Sequence, residues 1–186
     1  ANNTYNELAQ QGIQTNLIRD NSRPTTFKKR YLVENQKLFR VSRLEDHKLD
    51  KETEGLVISK LKKFAPQVNG IVVSDFVYGV ITENILKEIR NLSKKYNLPI
   101  FGDLQCSSQV GDVTKFKDFS LLCPNEKETR IALKDIESGL EKLSQKLIEI
   151  TNIDKLVMKL GREGFISYDK YKNTSHVFPA LSVNPV

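Results

Sequence analysis

Strand and helix signals alternate from Asn69 onward, and this alternation constrains the fold more than any other feature of the chain. Ile71-Val72-Val73 is a short apolar run suited to a buried strand. Residues 82–96 then carry Ile85, Ile89, Leu92 and Tyr96 on one helical stripe. Leu98-Pro99-Ile100-Phe101 reads as the next strand, ending at Gly102-Asp103. After a polar loop come a strand over residues 119–122 and a short helix from Asn125 to about Leu133. A longer helix is expected to carry Ile136, Leu140, Leu143, Leu147 and Ile150 on one face. A strand over residues 156–160 follows, and residues 165–168 are expected to return antiparallel across the Gly161–Gly164 turn. Such alternation implies an α/β domain built on a mostly parallel sheet.

The first part of the chain reads differently. Residues 4–11 suit a helix stopped by Gly12, and residues 13–18 suit a strand. Residues 25–33 and 37–42 then form two extended segments around a tight Glu34-Asn35-Gln36 connection. Period-two alternation puts Phe27, Tyr31, Val33, Phe39 and Val41 on an apolar side, with Lys28, Arg30 and Arg40 opposite. The expectation is a hairpin hung on an α/β body, followed by a helix whose inner side is Val57, Leu61 and Phe64.

Composition narrows the function classes. The 186 residues suffice for one well-buried domain, and a net charge of +6 is distributed over lysines with acids interleaved. That pattern describes a solvated surface or a mildly basic cleft for a phosphate-bearing small substrate, and it disfavours a nucleic-acid-binding face. Cys106 and Cys123 have no metal or redox spacing and read as small core residues of a reducing compartment. His47 and His176 are isolated in polar sequence, which leaves zinc or a histidine triad without support. No apolar stretch approaches the ~18 residues of a membrane span, and no leader opens the chain, so the expected location is the cytoplasm.

Candidate chemistry gathers just after the apolar runs, where open α/β sheets bind ligands. Leu122-Cys123-Pro124-Asn125-Glu126-Lys127-Glu128 is one strand end, and Lys159-Leu160-Gly161-Arg162-Glu163-Gly164 is another. Asn125 and Glu128 stand on one helical turn and can aim together, or they can simply close a capping box. Gly161 and Gly164 would let backbone N–H groups approach a phosphate, or would make an ordinary hairpin turn. Arg162 either reaches a nucleotide there or is solvated. Arg23, Lys28, Arg30 and Arg40 suit an acceptor phosphate, or a charged hairpin that resists edge pairing. Asp75 and Asp103 also end strands, where each can shape a cleft or cap a turn.

Taken in order, the basic hairpin, Ser74-Asp75-Phe76-Val77-Tyr78-Gly79, Gly102-Asp103, Pro124-Asn125-Glu126-Lys127-Glu128 and Leu160-Gly161-Arg162-Glu163-Gly164 resemble the ribokinase (phosphofructokinase-B) family. Arg23-Pro24-Thr25-Thr26-Phe27-Lys28-Lys29-Arg30 with Asn35-Gln36 is similar to its heptose-phosphate kinase branch. The resemblance implies a ribokinase-like α/β fold, with helices on both faces of the sheet and residues 23–42 as a lid hairpin. It implies ATP- and magnesium-dependent phosphoryl transfer to a sugar or sugar phosphate. Asn125 and Glu128 would hold the hydrated metal, Lys159, Gly161, Arg162 and Gly164 the nucleotide. Arg23, Lys28, Arg30, Arg40, Asp75 and Asp103 would face the acceptor, and a second subunit would pack on the apolar side of the lid.

The chain departs from the pattern in two places: Tyr78 stands where the branch usually has lysine, and Asp103-Leu104-Gln105 where it usually has Asp-Pro-Lys. The family's glycine-rich turn with its aspartate base is expected beyond Val186, so the chain is read as a fragment, truncated at both ends, with no catalytic base and no activity of its own. A non-catalytic sugar- or nucleotide-sensing module is the alternative. A nicotinamide-binding domain is disfavoured, because no Gly-x-Gly-x-x-Gly follows a first strand.

Overall fold

The computed structural model describes residues 2–33, 36–105 and 111–181. The Glu34-Asn35 connection, Cys106 and residues 183–186 of the sequence reading lie outside them. The chain opens with helix α1 (Asn2–Gln10), closed by Gly12 at φ 71°. Strands β1 (Phe27–Val33) and β2 (Gln36–Arg43) then pair antiparallel as a separate two-stranded sheet. Helix α2 (Lys51–Phe64) leads into a six-stranded sheet whose order follows the sequence: β3 (Ile71–Asp75), β4 (Ile100–Leu104), β5 (Leu121–Leu122), β6 (Lys155–Lys159), β7 (Phe165–Asp169) and β8 (Thr174–Phe178). β3 to β6 are parallel, and β7 and β8 are antiparallel additions. Helix α3 (Glu83–Tyr96) joins β3 to β4, and α4 (Glu126–Leu133) with α5 (Leu140–Thr151) joins β5 to β6.

Register explains where the core lies. Ile71 stands opposite Ile100, Gly102 opposite Leu122, Leu122 opposite Leu156, and Met158 opposite Ile166. Residues opposite one another share a face, so Val73, Ile100, Leu104, Leu122, Leu156, Met158, Ile166 and Tyr168 point the same way, and all are buried. Against them pack Ile85, Leu86 and Ile89 of α3 and Leu143, Leu147 and Ile148 of α5 in one continuous core. Val57, Ile58 and Leu61 of α2 join that core from the same side. Connections that step always towards the next strand, each right-handed, put their helices on one face. Helices α2, α3, α4 and α5 thus pack on this face of the mostly parallel sheet. The other face carries Val72, 75% exposed, and the half-buried Phe101, Leu121 and Val157.

Three local expectations are corrected. Residues 13–18 form no strand: Ile13 and Leu17 are 47% and 49% exposed, and the segment runs past the edge of β3 without joining it. The long helix begins at Leu140, because Asp135 accepts hydrogen bonds from the N–H groups of Glu137 and Ser138 and holds a turn there, leaving Ile136 82% exposed. β8 was not expected; its exposed, polar pattern carries no core periodicity. No helix of the described residues is long and apolar enough to cross a membrane. Leu147→Ala should lower unfolding free energy by about 2–5 kcal/mol, whereas Ile136→Ser should stay within about 0.5 kcal/mol of wild type, as read by urea denaturation.

Candidate functional site

The parallel strands β4, β5 and β6 end side by side, and the chain turns there into polar sequence. Pro124 stops β5, since it has no N–H to offer the ladder, and Asn125 becomes the N-cap of α4. The Asn125 Oδ1 accepts from the Glu128 N–H at 2.8 Å, and Glu128 Oε2 accepts from the Asn125 N–H at 2.8 Å. This is a complete capping box, with Glu128 only 4% exposed. The neighbouring strand end lies against it. The Lys159 N–H donates to the Pro124 carbonyl at 2.9 Å, and Asn125 and Lys159 form an isolated parallel bridge. The two predicted motif halves thus meet at one point on the carboxyl end of the sheet.

Lys159 also reaches across β5. Its Nζ lies 2.8 Å from Asp103 Oδ1 at the end of β4, while Gln105 Nε2 donates to Asp103 Oδ2 at 3.1 Å. Asp103 therefore joins the Asn125–Lys159 group. Both members of this ion pair keep substantial exposure (45% and 27%), so the pair is open to solvent and to ligands. Cys123 sits beside them, and burial pushes its thiol up from the usual value, with Lys159 opposing and Asp103 adding to the rise.

Beyond Lys159 the chain makes one 3-10 turn over Gly161–Glu163, with Arg162 exposed. The two glycines answer to different needs. Gly161 adopts φ 63° with open space where a Cβ would stand. Gly164, at φ 97°, would place a Cβ 2.0 Å from the Phe178 carbonyl oxygen of β8. Its lack of a side chain is explained by packing inside the protein, and Gly161 alone retains the open surroundings expected of a phosphate-facing glycine.

The predicted acceptor residues divide. Arg30 and Arg40 are exposed and stand directly opposite one another across the hairpin, lining a shallow hollow of about 310 Å³ with Leu38 and Phe39. Two cations so placed give this strip of the hairpin a basic character. Lys28 is half-buried, its ammonium 5.0 Å from the Tyr78 ring centroid and 5.7 Å from that of Phe76. Arg23 is engaged by the protein itself, donating to Asp20 Oδ2, the Tyr78 carbonyl and the His47 carbonyl at 2.6, 2.6 and 2.8 Å. Asp75 is 2% exposed and ion-paired with Lys115. The structure thus gives Arg23 and Asp75 partners within the protein. Lys115 went unnoticed in the sequence, where nothing about Val113-Thr114-Lys115 signals a partner forty residues away. An apolar hollow of about 360 Å³ between α2 and the edge of β3, lined by Val57, Leu61, Phe64 and Ile71, lies away from these strand ends and carries no comparable polar set.

Comparison with solved structures decides the architecture. A ribokinase from Giardia lamblia superposes with a TM-score of 0.75 at 14% identity, over 95% of this chain and 57% of that one. The fold is ribokinase-like. The tetrameric inhibited form of phosphofructokinase-2 from Escherichia coli gives 0.68 at 14% identity, over 97% and 60%, and Arabidopsis thaliana ribokinase complexed with ribose and ATP gives 0.60 at 15%, over 91% and 53%. In sequence, the chain is similar to the bifunctional protein HldE of Geobacter sulfurreducens (29% identity over 167 residues, 88% of this chain and 33% of that protein). The bifunctional protein HldE of Desulfatibacillum aliphaticivorans is 27% identical over 163 residues, 85% of this chain and 32% of that protein. The chain spans about a third of the length of these curated relatives. No family model matches it.

Two outcomes test the site's construction. Gly161→Ala should cost about 1–2 kcal/mol for its left-handed backbone, and Gly164→Ala distinctly more because β8 must also move; urea denaturation ranks the two. The Cys123 thiol should remain neutral and alkylate slowly at pH 8, gaining reactivity only as pH rises past the ordinary thiol range; fast iodoacetamide labelling at pH 8 would contradict its burial.

Proposed function

We propose that this chain is the nucleotide-binding part of a cytoplasmic carbohydrate kinase, which transfers a phosphoryl group from ATP to a hydroxyl of a sugar or sugar phosphate. One observation carries the reading: the Lys159 N–H to Pro124 carbonyl bond, which brings the Asn125–Glu128 turn and the Gly161 turn together at adjacent parallel strand ends. Such strand ends are where open α/β sheets receive nucleotides. The ribokinase-like fold and the similarity to bifunctional HldE proteins support the same class.

In this reading, Lys159 offers a cation to the phosphates and Asp103 holds it in position. Gly161 leaves room for the nucleotide over the end of β6, with exposed Arg162 beside it. Magnesium bound with the nucleotide would neutralise phosphate charge during transfer. The donor chemistry suits a hydrated ion: one carboxylate and one amide oxygen, of Glu128 and Asn125, are fixed side by side on one helix turn. Magnesium keeps its water readily and needs only one or two carboxylates with phosphates, so Glu128 and Asn125 would hold it through water. Arg30, Arg40 and Lys28 would face the acceptor, and the base for its hydroxyl would come from outside these residues. The exposed apolar face of the hairpin, with Phe27 and Phe39 each at 57% and Tyr31 stacked on Phe39 at 4.4 Å, would pack on a second subunit.

The sensing alternative draws on the capping box, which gives Asn125 and Glu128 a purely structural purpose, and on Tyr78 and Gln105 in place of cations. Glu128→Gln separates the two readings, because the amide oxygen still accepts the Asn125 N–H while the charge is lost. In the whole protein, assayed with hexoses, heptoses and their phosphates, this variant should fold normally and lose about 10–100-fold in magnesium-dependent ATP consumption. Turnover equal to wild type would remove the metal role. Calorimetry that found NAD binding and no ATP binding would remove the kinase reading.

A further inference from the structure

We infer that Lys115, Asp75 and Arg23 form a polar relay that seats the lid hairpin, making Lys115 a positioning residue that acts on the lid from beneath the sheet. The relay begins in the 3-10 turn over Val113–Lys115, between β4 and β5. Lys115 Nζ donates to Asp75 Oδ2 at the end of β3, where the carboxylate is almost wholly buried. A carboxylate at that depth needs a fixed cation and fixed donors. Its second oxygen, Oδ1, accepts from the Val77 N–H at 2.8 Å, and the Asp75 carbonyl accepts from the Gln105 N–H at 2.8 Å.

Val77 stands at φ 63°, a conformation that a β-branched residue keeps only where its surroundings impose it. The Val77 N–H bond to Asp75 anchors the turn in which it stands. The turn so shaped presents two carbonyls outward. That of Tyr78 accepts from Arg23 Nη1 at 2.6 Å, and that of Gly79 accepts from the Leu49 N–H at 3.2 Å. Arg23 precedes β1 and Leu49 follows β2, so both stems of the hairpin rest on one turn. Arg23, held on its own stem by Asp20 Oδ2, ties the stems to each other as well through the His47 carbonyl. Gly79 permits this closeness, since a Cβ there would lie 2.0 Å from the His47 carbonyl oxygen. Lys28, on the hairpin itself, lies over the Tyr78 and Phe76 rings and extends the seat upward.

The consequence for catalysis rests on the kinase reading: Arg30 and Arg40 would meet the acceptor at a height set by Lys115. The relay itself does not depend on that reading, and its test reads backbone protection, not turnover. Peptide-resolved hydrogen exchange on the full chain would compare wild type with Arg23→Ala, Asp75→Asn, Lys115→Met and the Arg23→Ala/Lys115→Met double variant. Each single change should speed exchange in the stem peptides, including the Leu49 amide, on the order of tenfold, while amides of α5 and β6 keep wild-type protection. The double variant should add little to either single one, because both break the same chain of contacts. Should Lys115→Met fail to fold, Asp75→Asn carries the test, since it preserves shape and the Val77 acceptor while weakening the ion pair. Stem protection unchanged in both inner variants overturns the relay, and so does an equal loss of protection in α5 and β6.

Discussion

The in-register parallel pairing of β4, β5 and β6 is the constraint on which the site depends. Gly102 stands opposite Leu122, and Leu122 opposite Leu156, so the three strands run in step towards the same end of the sheet. β5 itself is only Leu121–Leu122, yet its neighbours extend the pairing: the Ser120 N–H donates to the Ile100 carbonyl at 2.9 Å and the Cys123 N–H to the Gly102 carbonyl at 3.0 Å. A slip of one residue would turn Leu122 and Leu156 out of the core and carry Asn125 away from Lys159. Hydrophobic burial therefore fixes the register, and the register brings the polar ends together. The chemistry of Asn125, Asp103 and Lys159 is placed by the apolar residues behind them.

Among the described residues, α3, α4 and α5 pack on one face of the parallel strands β3 to β6. Parallel sheets are ordinarily buried on both faces, because their connecting helices lie on either side. Here the order β3 to β6 follows the sequence, and α3, α4 and α5 fall in the same layer. The uncovered face is not polar in compensation: Val72, Phe101, Leu121 and Val157 occupy it in two adjacent rows. Its chemistry changes towards β6, where Lys155 pairs with Asp169 at 3.9 Å. Asp103 and Lys159 rise from this same face at the carboxyl end, which makes their ion pair accessible while Asp75, one strand over and on the opposite face, is sealed.

That difference of face explains how much of the site was legible in the sequence. Asn125, Glu128, Lys159 and Gly161 were readable because each sits at a boundary between an apolar run and a polar turn, and such boundaries appear in one dimension. Asp75 and Asp103 look alike by the same criterion, since both follow a strand. Strand parity separates them in the folded chain: Asp75 falls in step with buried Val73, whereas Asp103 alternates with buried Gly102 and Leu104. The Tyr78 carbonyl bound by Arg23 and the Lys115 paired with Asp75 lie 55 and 40 residues away, and no local pattern encodes them. Helices α2, α3 and α5 were legible from their apolar stripes. The helical reading of Ile136 failed because Asp135 offers its side chain to backbone N–H groups and builds a turn instead. Strand β8 was hidden because an exposed edge strand has no buried face to write a period into its sequence.

The capping box and a ligand role for Asn125 and Glu128 compete less than their shared atoms suggest. A capping box fixes two side chains and two backbone N–H groups in one geometry, which is the rigidity a binding site needs before its ligand arrives. Glu128 is held by the Asn125 N–H and buried to 4% exposure, so a ligand would find it already fixed. Asn125 is held in turn by its bridge to Lys159, whose ammonium is held by Asp103. The helix start, the strand end and the ion pair therefore form one connected unit across β4, β5 and β6. Loosening any member would blur the others, and a site assembled this way owes its order to the same hydrogen bonds that terminate its strands.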